Sequence, residues 1–220
     1  MLITFANQKG GVGKSTLVML FANWLTERDE AVVILDADRQ NSVQRQRERD
    51  SDAFAEQEFK YYIQDFSIDR PQRDIYNTIQ RLKAENPEAY ILLDAPGNLS
   101  ESGIVPCLAL ADVIVCPFQY EIKVLDSTGT FIVVLKRLVD AYKTSPKRVF
   151  VPNRVRLGTG TRKDKEIFQR ITEVFQQYGE VSPYVKDLKV LSEVNTMSLS
   201  KVQSDEVKNC FETLIEICKK

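Results

Sequence analysis

An apolar run, Leu2-Ile3-Thr4-Phe5-Ala6, leads without a break into Asn7-Gln8-Lys9-Gly10-Gly11-Val12-Gly13-Lys14-Ser15-Thr16. Behind it Leu17, Leu20, Phe21, Trp24 and Leu25 recur at helical spacing, so an amphipathic helix begins where the glycines end. Strand, glycine loop and helix in that order leave few folds open. The stretch Gly13-Lys14-Ser15 closes the phosphate-loop pattern G-x-x-x-x-G-K-[ST]. Where that pattern has its first glycine, this chain has Gln8, followed by an additional cation, Lys9, and the pair Gly10-Gly11. The bland alternative is a glycine turn that merely joins a strand to a helix.

The rest of the chain repeats the alternation. Strands are expected at 2–6, 31–35, 59–63, 90–94, 112–117, 148–152 and 184–190, and several lack polar alternation, as strands covered on both faces do. Helices are expected at 16–26, 71–85, 121–142, 163–178 and 203–218, while the polar stretch 39–58 reads as a solvated helix or loop. Strands alternating with helices predict an α/β fold: a mostly parallel twisted sheet with helices on both faces, a Rossmann-like three-layer P-loop architecture. At 220 residues, with no Pro/Gly/Ser linker, residues 1–220 read as one domain with no separate N-terminal DNA-binding domain.

Composition removes several functions. The chain has no histidine, which excludes His-based general-base catalysis and His metal ligation. Cys107, Cys116, Cys210 and Cys218 form no C-x-x-C pair and read as reduced core thiols. The N-terminal apolar run is too short for a signal peptide, and the longest apolar stretch, 104–118, is broken by Pro106, Asp112 and Pro117. A cytoplasmic protein is expected. Net charge is −1, yet residues 136–170 hold eleven Lys/Arg against three Asp/Glu. That local excess suits an anionic partner, although scattered solvated helix faces would read the same way.

In open parallel sheets ligands bind where strands end at their carboxyl side. Three motifs fall there. In the first, backbone N–H groups of Gly10 to Gly13 and the helix start would cradle phosphates, Lys14 would reach the β- and γ-phosphates, and Ser15 would face Mg²⁺. The second, Asp36-Ala37-Asp38-Arg39-Gln40, follows strand 31–35 and puts two carboxylates at the rim, where they can hold Mg²⁺ through water and orient an attacking water. An Asp there also suits a helix N-cap or turn. The third is Tyr90-Ile91-Leu92-Leu93-Asp94, an apolar strand ending in a carboxylate that accepts from Mg²⁺-bound water in Walker B chemistry.

Taken together these segments resemble the ParA/MinD family of deviant Walker A P-loop ATPases. Lys9-Gly10-Gly11-Val12-Gly13-Lys14-Ser15-Thr16 resembles its deviant Walker A box, Asp36 to Gln40 its Walker A′ box, and Ile91 to Pro96 its Walker B. The resemblance implies that ATP is bound by residues 10–16, and that Lys9 crosses an ATP-sandwich homodimer to the other subunit's phosphates. Gly11 would then leave room for the crossing. It implies that Asp38 orients the hydrolytic water, that Ser15, Asp36 and Asp94 serve Mg²⁺, and that Asn153 reads adenine, although an Asn also suits a strand-end turn. Arg39 departs from the pattern, many relatives having Pro there, and 184–202 shows few family landmarks.

Among family members the ParA-type partition ATPases fit best. The expectation is an ATP-dependent switch, cytoplasmic and nucleoid-associated, that binds DNA non-specifically and answers to a ParB-like adaptor. Its DNA contacts would come from Lys136, Arg137, Lys147, Arg154, Arg156, Arg162 and Lys163. No membrane partner is expected, because the last helix carries Asp205, Glu206, Glu212 and Glu216 beside its apolar stripe. A MinD-like scaffold for a membrane or protein cargo, a cluster-bearing redox protein and a P-loop transferase or synthetase are the alternatives.

Overall fold

In a computed structural model, residues 1–97, 102–156 and 162–219 are described; the side chains of 122–126 and 162–164 lie outside that description. Seven strands form one sheet: β1 (Leu2–Phe5), β2 (Val32–Asp36), β3 (Tyr62–Asp65), β4 (Tyr90–Asp94), β5 (Val113–Phe118), β6 (Lys147–Pro152) and β7 (Glu180–Val181). Their order is β3-β2-β4-β1-β5-β6-β7 and every pairing is parallel. The helices are α1 (Lys14–Thr26), α2 (Ser42–Ala53), α3 (Gln72–Glu85), α4 (Ile104–Ala109), α5 (Ile122–Tyr142), α6 (Arg162–Gln176), α7 (Lys189–Ser192) and α8 (Lys201–Lys219).

Side chains of a strand point alternately to its two faces, and the core divides on that period. Ile3, Phe5, Ile34, Leu92, Val113 and Val115 pack on one face with Leu17, Phe21 and Trp24 of α1 and Phe211 and Leu214 of α8. Leu2, Leu35, Ile91, Leu93 and Ile114 pack on the other with Ile75 and Ile79 of α3, Leu108 of α4, Phe131 of α5 and Phe175 of α6. Both faces are thus covered, as the unbroken apolar strands predict. The stripe of α8 is buried, Phe211 lying 4.9 Å from the Phe21 ring, and is not available to a membrane surface. No helix among the described residues is long and apolar enough to cross a bilayer. All four cysteines are free and buried.

Two strand expectations need correction: β3 lies at Tyr62–Asp65 and not at 59–63, and the last strand falls before 184–190. Residues 184–190 form no strand: the last strand is the earlier pair Glu180–Val181. Pro183 has no N–H for a ladder, and Val185 and Leu191 turn into the α1 side of the core. A single parallel bridge, Val155 to Lys186, remains. Of the solvated helix or loop expected at 39–58, the structure has the helix, α2, in which only Val43 and Asp50 are buried. Polar contacts hold it in place of an apolar stripe. Asp50 accepts from the Thr196 N–H at 2.6 Å and its hydroxyl at 2.7 Å. Arg47 donates to the Tyr61 carbonyl and the Thr196 hydroxyl and stacks 3.9 Å over the Phe59 ring. Asp50→Ala leaves a buried N–H unpaired, so it should cost roughly 2–4 kcal/mol of unfolding free energy in a urea titration.

β1 lies between β4 and β5; the chain leaves β1 for β2 on one side, whereas it leaves the neighbouring β4 for β5 on the other. The carboxyl end of β1 is therefore the switch point of the sheet, where open α/β folds place their ligand.

Candidate functional site

The loop after β1 is shaped by two glycines and by side chains behind it. Gly11 and Gly13 have φ of +78° and +91°, left-handed values that L residues adopt only at a cost. A Cβ on Gly13 would also collide with the amide nitrogen of Asn153. At Gly11 a Cβ would meet open space for 4 Å around, so inside one subunit only the backbone conformation demands glycine there. Asn7, buried at the end of β1, donates to the Pro117 carbonyl at 2.7 Å and accepts from the Lys9 N–H at 3.2 Å. Sequence reasoning gave Asn7 no role; a polar side chain at the exit of an apolar strand was the available signal.

The two lysines of the loop differ sharply. Lys14 is 6% exposed, inside the loop at the start of α1, whereas Lys9 is exposed at the rim. Lys14, Ser15, Thr16, Gly10, Gly11, Asp38 and Gly97 share one cavity of about 660 Å³. Val12 is buried behind it in the core.

Asp36 and Asp94 end neighbouring strands in direct register, and both are fully buried. Oδ2 of Asp36 accepts from the Val43 and Gln44 N–H groups at 3.0 Å, so this carboxylate also anchors the start of α2. Its other oxygen and both oxygens of Asp94 have no hydrogen-bond partner among the described residues. Burial pushes the Asp94 carboxyl up to about 7; the nearby Ser15 hydroxyl and Lys14 ammonium pull it down, and Asp36 and Asp38 push it further up. Burial likewise raises Asp36. Adjacent buried carboxylates with orphaned oxygens call for a cation or a proton. Ser15 beside them completes an all-oxygen donor set suited to Mg²⁺ held largely through water. Asp38 is half-buried on the cavity wall, its carboxylate accepting from the Gln40 N–H at 3.0 Å.

Asn153, just past β6, is buried and donates to the Val12 carbonyl at 2.8 Å. It borders a second, narrow cleft of about 20 Å³, whose walls combine Leu17, Leu20, Val185, Leu188 and Leu191 with the polar Thr16, Lys186, Asp187 and Ser192.

The basic block does not form one surface. Lys147 opens β6 at the sheet end away from the loop, its ammonium on the Ile217 carbonyl. Arg154 and Arg156 lie past the other end of β6. Arg154 donates to the Gly11 carbonyl at 2.9 Å, and Arg156 pairs with Asp187 at 2.7 Å. Lys136 and Arg137 lie on α5, both exposed. The side chains of Arg162 and Lys163 lie outside the described residues. Burial pushes the Cys107 thiol up to about 12 and raises Cys116 too, which suits core packing and not cluster ligation.

Comparison with known proteins bears on the family and the fold. The family model described as "CobQ/CobB/MinD/ParA nucleotide binding domain" matches residues 3–202. No curated protein matches the chain. Among solved structures, apo McdA of Cyanothece superposes with a TM-score of 0.73 at 16% identity over 99% of this chain and 98% of that one. A putative plasmid partition protein of Borrelia burgdorferi B31 bound to AMPPNP gives 0.71 at 18% identity over 99% and 98%. The MinD cell division protein of Aquifex aeolicus gives 0.74 at 15% over 98% and 97%. At these identities the likeness establishes the fold.

Proposed function

The chain belongs to the CobQ/CobB/MinD/ParA nucleotide-binding family, and from that premise we propose that it is an Mg²⁺-dependent ATPase working as a dimerisation switch. The observation that carries the reading is the division of labour between the lysines, Lys14 buried in its own loop and Lys9 exposed at the rim. One cation in the loop serves the nucleotide of its own subunit. A second at the rim, near a glycine with open space where a side chain would stand, suits the phosphates of a facing subunit.

Loop amides and Lys14 would hold the triphosphate, and Asn153 would face the base. Mg²⁺, when bound, would supply positive charge against the charge of the triphosphate. Ser15, Asp36 and Asp94 would hold it. Asp38 would orient a water whose oxygen attacks the γ-phosphorus as the bond to the β-bridging oxygen breaks, giving ADP and phosphate. Lys9 of the facing subunit and Lys14 would stabilise the charge that develops, and such preorganised cations account for much of phosphoryl-transfer catalysis.

The proposed output of the dimer is non-specific DNA binding through the exposed members of the basic block, released after hydrolysis stimulated by a ParB-like adaptor. The likeness to a plasmid partition protein supports it, while the likeness to a cell division protein keeps a scaffold for membrane or protein cargo in play. A salt series separates the two. Asp38→Ala protein held with ATP should bind duplex DNA only when ATP is present, with log K falling linearly against log salt by about 0.9 per neutralised phosphate. Absence of binding at low salt, with co-sedimentation on anionic vesicles instead, would reject the DNA reading.

A further inference from the structure

We infer that Arg154 belongs to the nucleotide site: it fixes the phosphate loop through the Gly11 carbonyl and offers its remaining N–H donors to the phosphate next to the sugar. This rests on the nucleotide-binding reading above and assigns that site a cation outside its three motifs.

Four observations carry it. Consecutive residues after β6 hold consecutive carbonyls of the loop, Asn153 on Val12 at 2.8 Å and Arg154 on Gly11 at 2.9 Å. Two prongs from one turn thereby hold the segment between Gly11 and Gly13, where the backbone is left-handed. The turn itself is strained. Arg154 has a φ of +56°, uncommon for a residue with a long side chain and costing about 1 kcal/mol or more. Such a conformation persists where its surroundings over-determine it, and functional sites are where it collects.

Position supplies the third observation. Arg154 lines both the 660 Å³ cavity of the phosphate loop and the narrow cleft beside Asn153, so it stands where a phosphate chain would meet its nucleoside. Chemistry supplies the fourth. A guanidinium has five donors in a planar fork, and Gly11 is the one partner of this guanidinium among the described residues. Arg156, two residues on, is instead tied to Asp187. Both keep spare donors, but among the described residues Arg156 is ion-paired and Arg154 is not, so the charge of Arg154 is the one uncompensated for an anion, and a fork suits a phosphate oxygen pair.

The test is a fluorescence titration of labelled ADP and ATP, without DNA, into wild-type, Arg154→Ala and Arg154→Lys proteins, with Tm measured on each. Arg154→Ala should weaken both nucleotides by the same factor, about 10- to 100-fold, with Tm of the nucleotide-free protein little changed. Lysine keeps the charge but cannot both hold Gly11 and reach a phosphate, so Arg154→Lys should recover only part of the loss. Unchanged nucleotide affinity alongside weakened DNA binding at saturating ATP would make Arg154 a DNA contact and overturn the inference. Loss confined to ATP would place the contact at the γ-phosphate and overturn it as stated. A fall in Tm for both variants with wild-type affinity in each would leave a purely structural role. Wild-type protein that bound neither nucleotide would overturn the nucleotide reading as well; normal wild-type binding with an unaltered Arg154→Ala overturns this inference alone.

Discussion

Asp94→Asn is expected to make the nucleotide-free protein more stable and to abolish Mg²⁺-dependent ATP hydrolysis. The two effects share one cause. Asp94 is completely buried, stands in register with a second buried carboxylate, and has neither oxygen satisfied. Removing an unpaired buried charge typically relieves about 1–3 kcal/mol. The pH dependence fixes the sign. The folded-state pKa is about 7 against an ordinary 3.8, so the folded protein keeps a proton that the unfolded chain releases. Stability of the nucleotide-free protein should therefore fall as pH rises from about 4 to 7, and the Asp94→Asn protein should lose that slope. Thermal denaturation in EDTA across this range checks it. Wild-type stability that climbs with pH there, or an Asp94→Asn protein that is less stable at pH 7, would contradict the account. Loss of hydrolysis follows because an amide cannot supply the anionic acceptor for Mg²⁺-bound water, and the effect on kcat should be at least about 100-fold.

The second large effect separates the lysines. Lys14→Ala removes a buried cation from its own subunit's loop and should weaken ATP binding in the monomer by about 100-fold or more. Lys9→Ala removes an exposed one and should leave monomer affinity within a few-fold. It should nevertheless abolish ATP-dependent dimerisation and lower kcat by roughly 10³-fold, the scale of cations delivered in trans to a γ-phosphate. Sedimentation with ATP, and single-turnover hydrolysis over a range of protein concentration, report the two quantities independently. A Lys9→Ala protein that still dimerises with ATP would sink the trans role.

Most of the sheet was legible because burial on both faces writes itself into sequence as unbroken apolar runs. The strands near 2–6, 31–35, 90–94, 112–117 and 148–152 all stand where those runs lie, to within a residue or two. Legibility failed where contacts between side chains and backbone replace hydrophobic periodicity. Helix α2 is held by Asp36, Arg47 and Asp50, which in sequence look like ordinary surface charges. The segment 184–190 has strand composition, but Pro183 and the pull of the α1 core divert it. For the site, the motifs at strand ends placed Lys14, Asp36, Asp38 and Asp94 around one loop. Arg154 was legible only as a member of a basic run, since a carbonyl 143 residues away decides where its guanidinium goes.

That run of eleven cations turns the salt titration into a ruler. β6 runs six residues from Lys147 to Pro152, about 17 Å along the strand, before the turn that carries Arg154. One straight duplex laid against either end of the sheet meets one part of the block only. Counted per subunit, engagement of all eleven would bring the logarithmic slope to about −10 and of five to about −4.5, and a dimer using both subunits would double each. The measured exponent therefore counts how much of the molecule the polymer touches, and charge removal at Lys147 against removal at Arg156, past the other end of β6, then says which end it is.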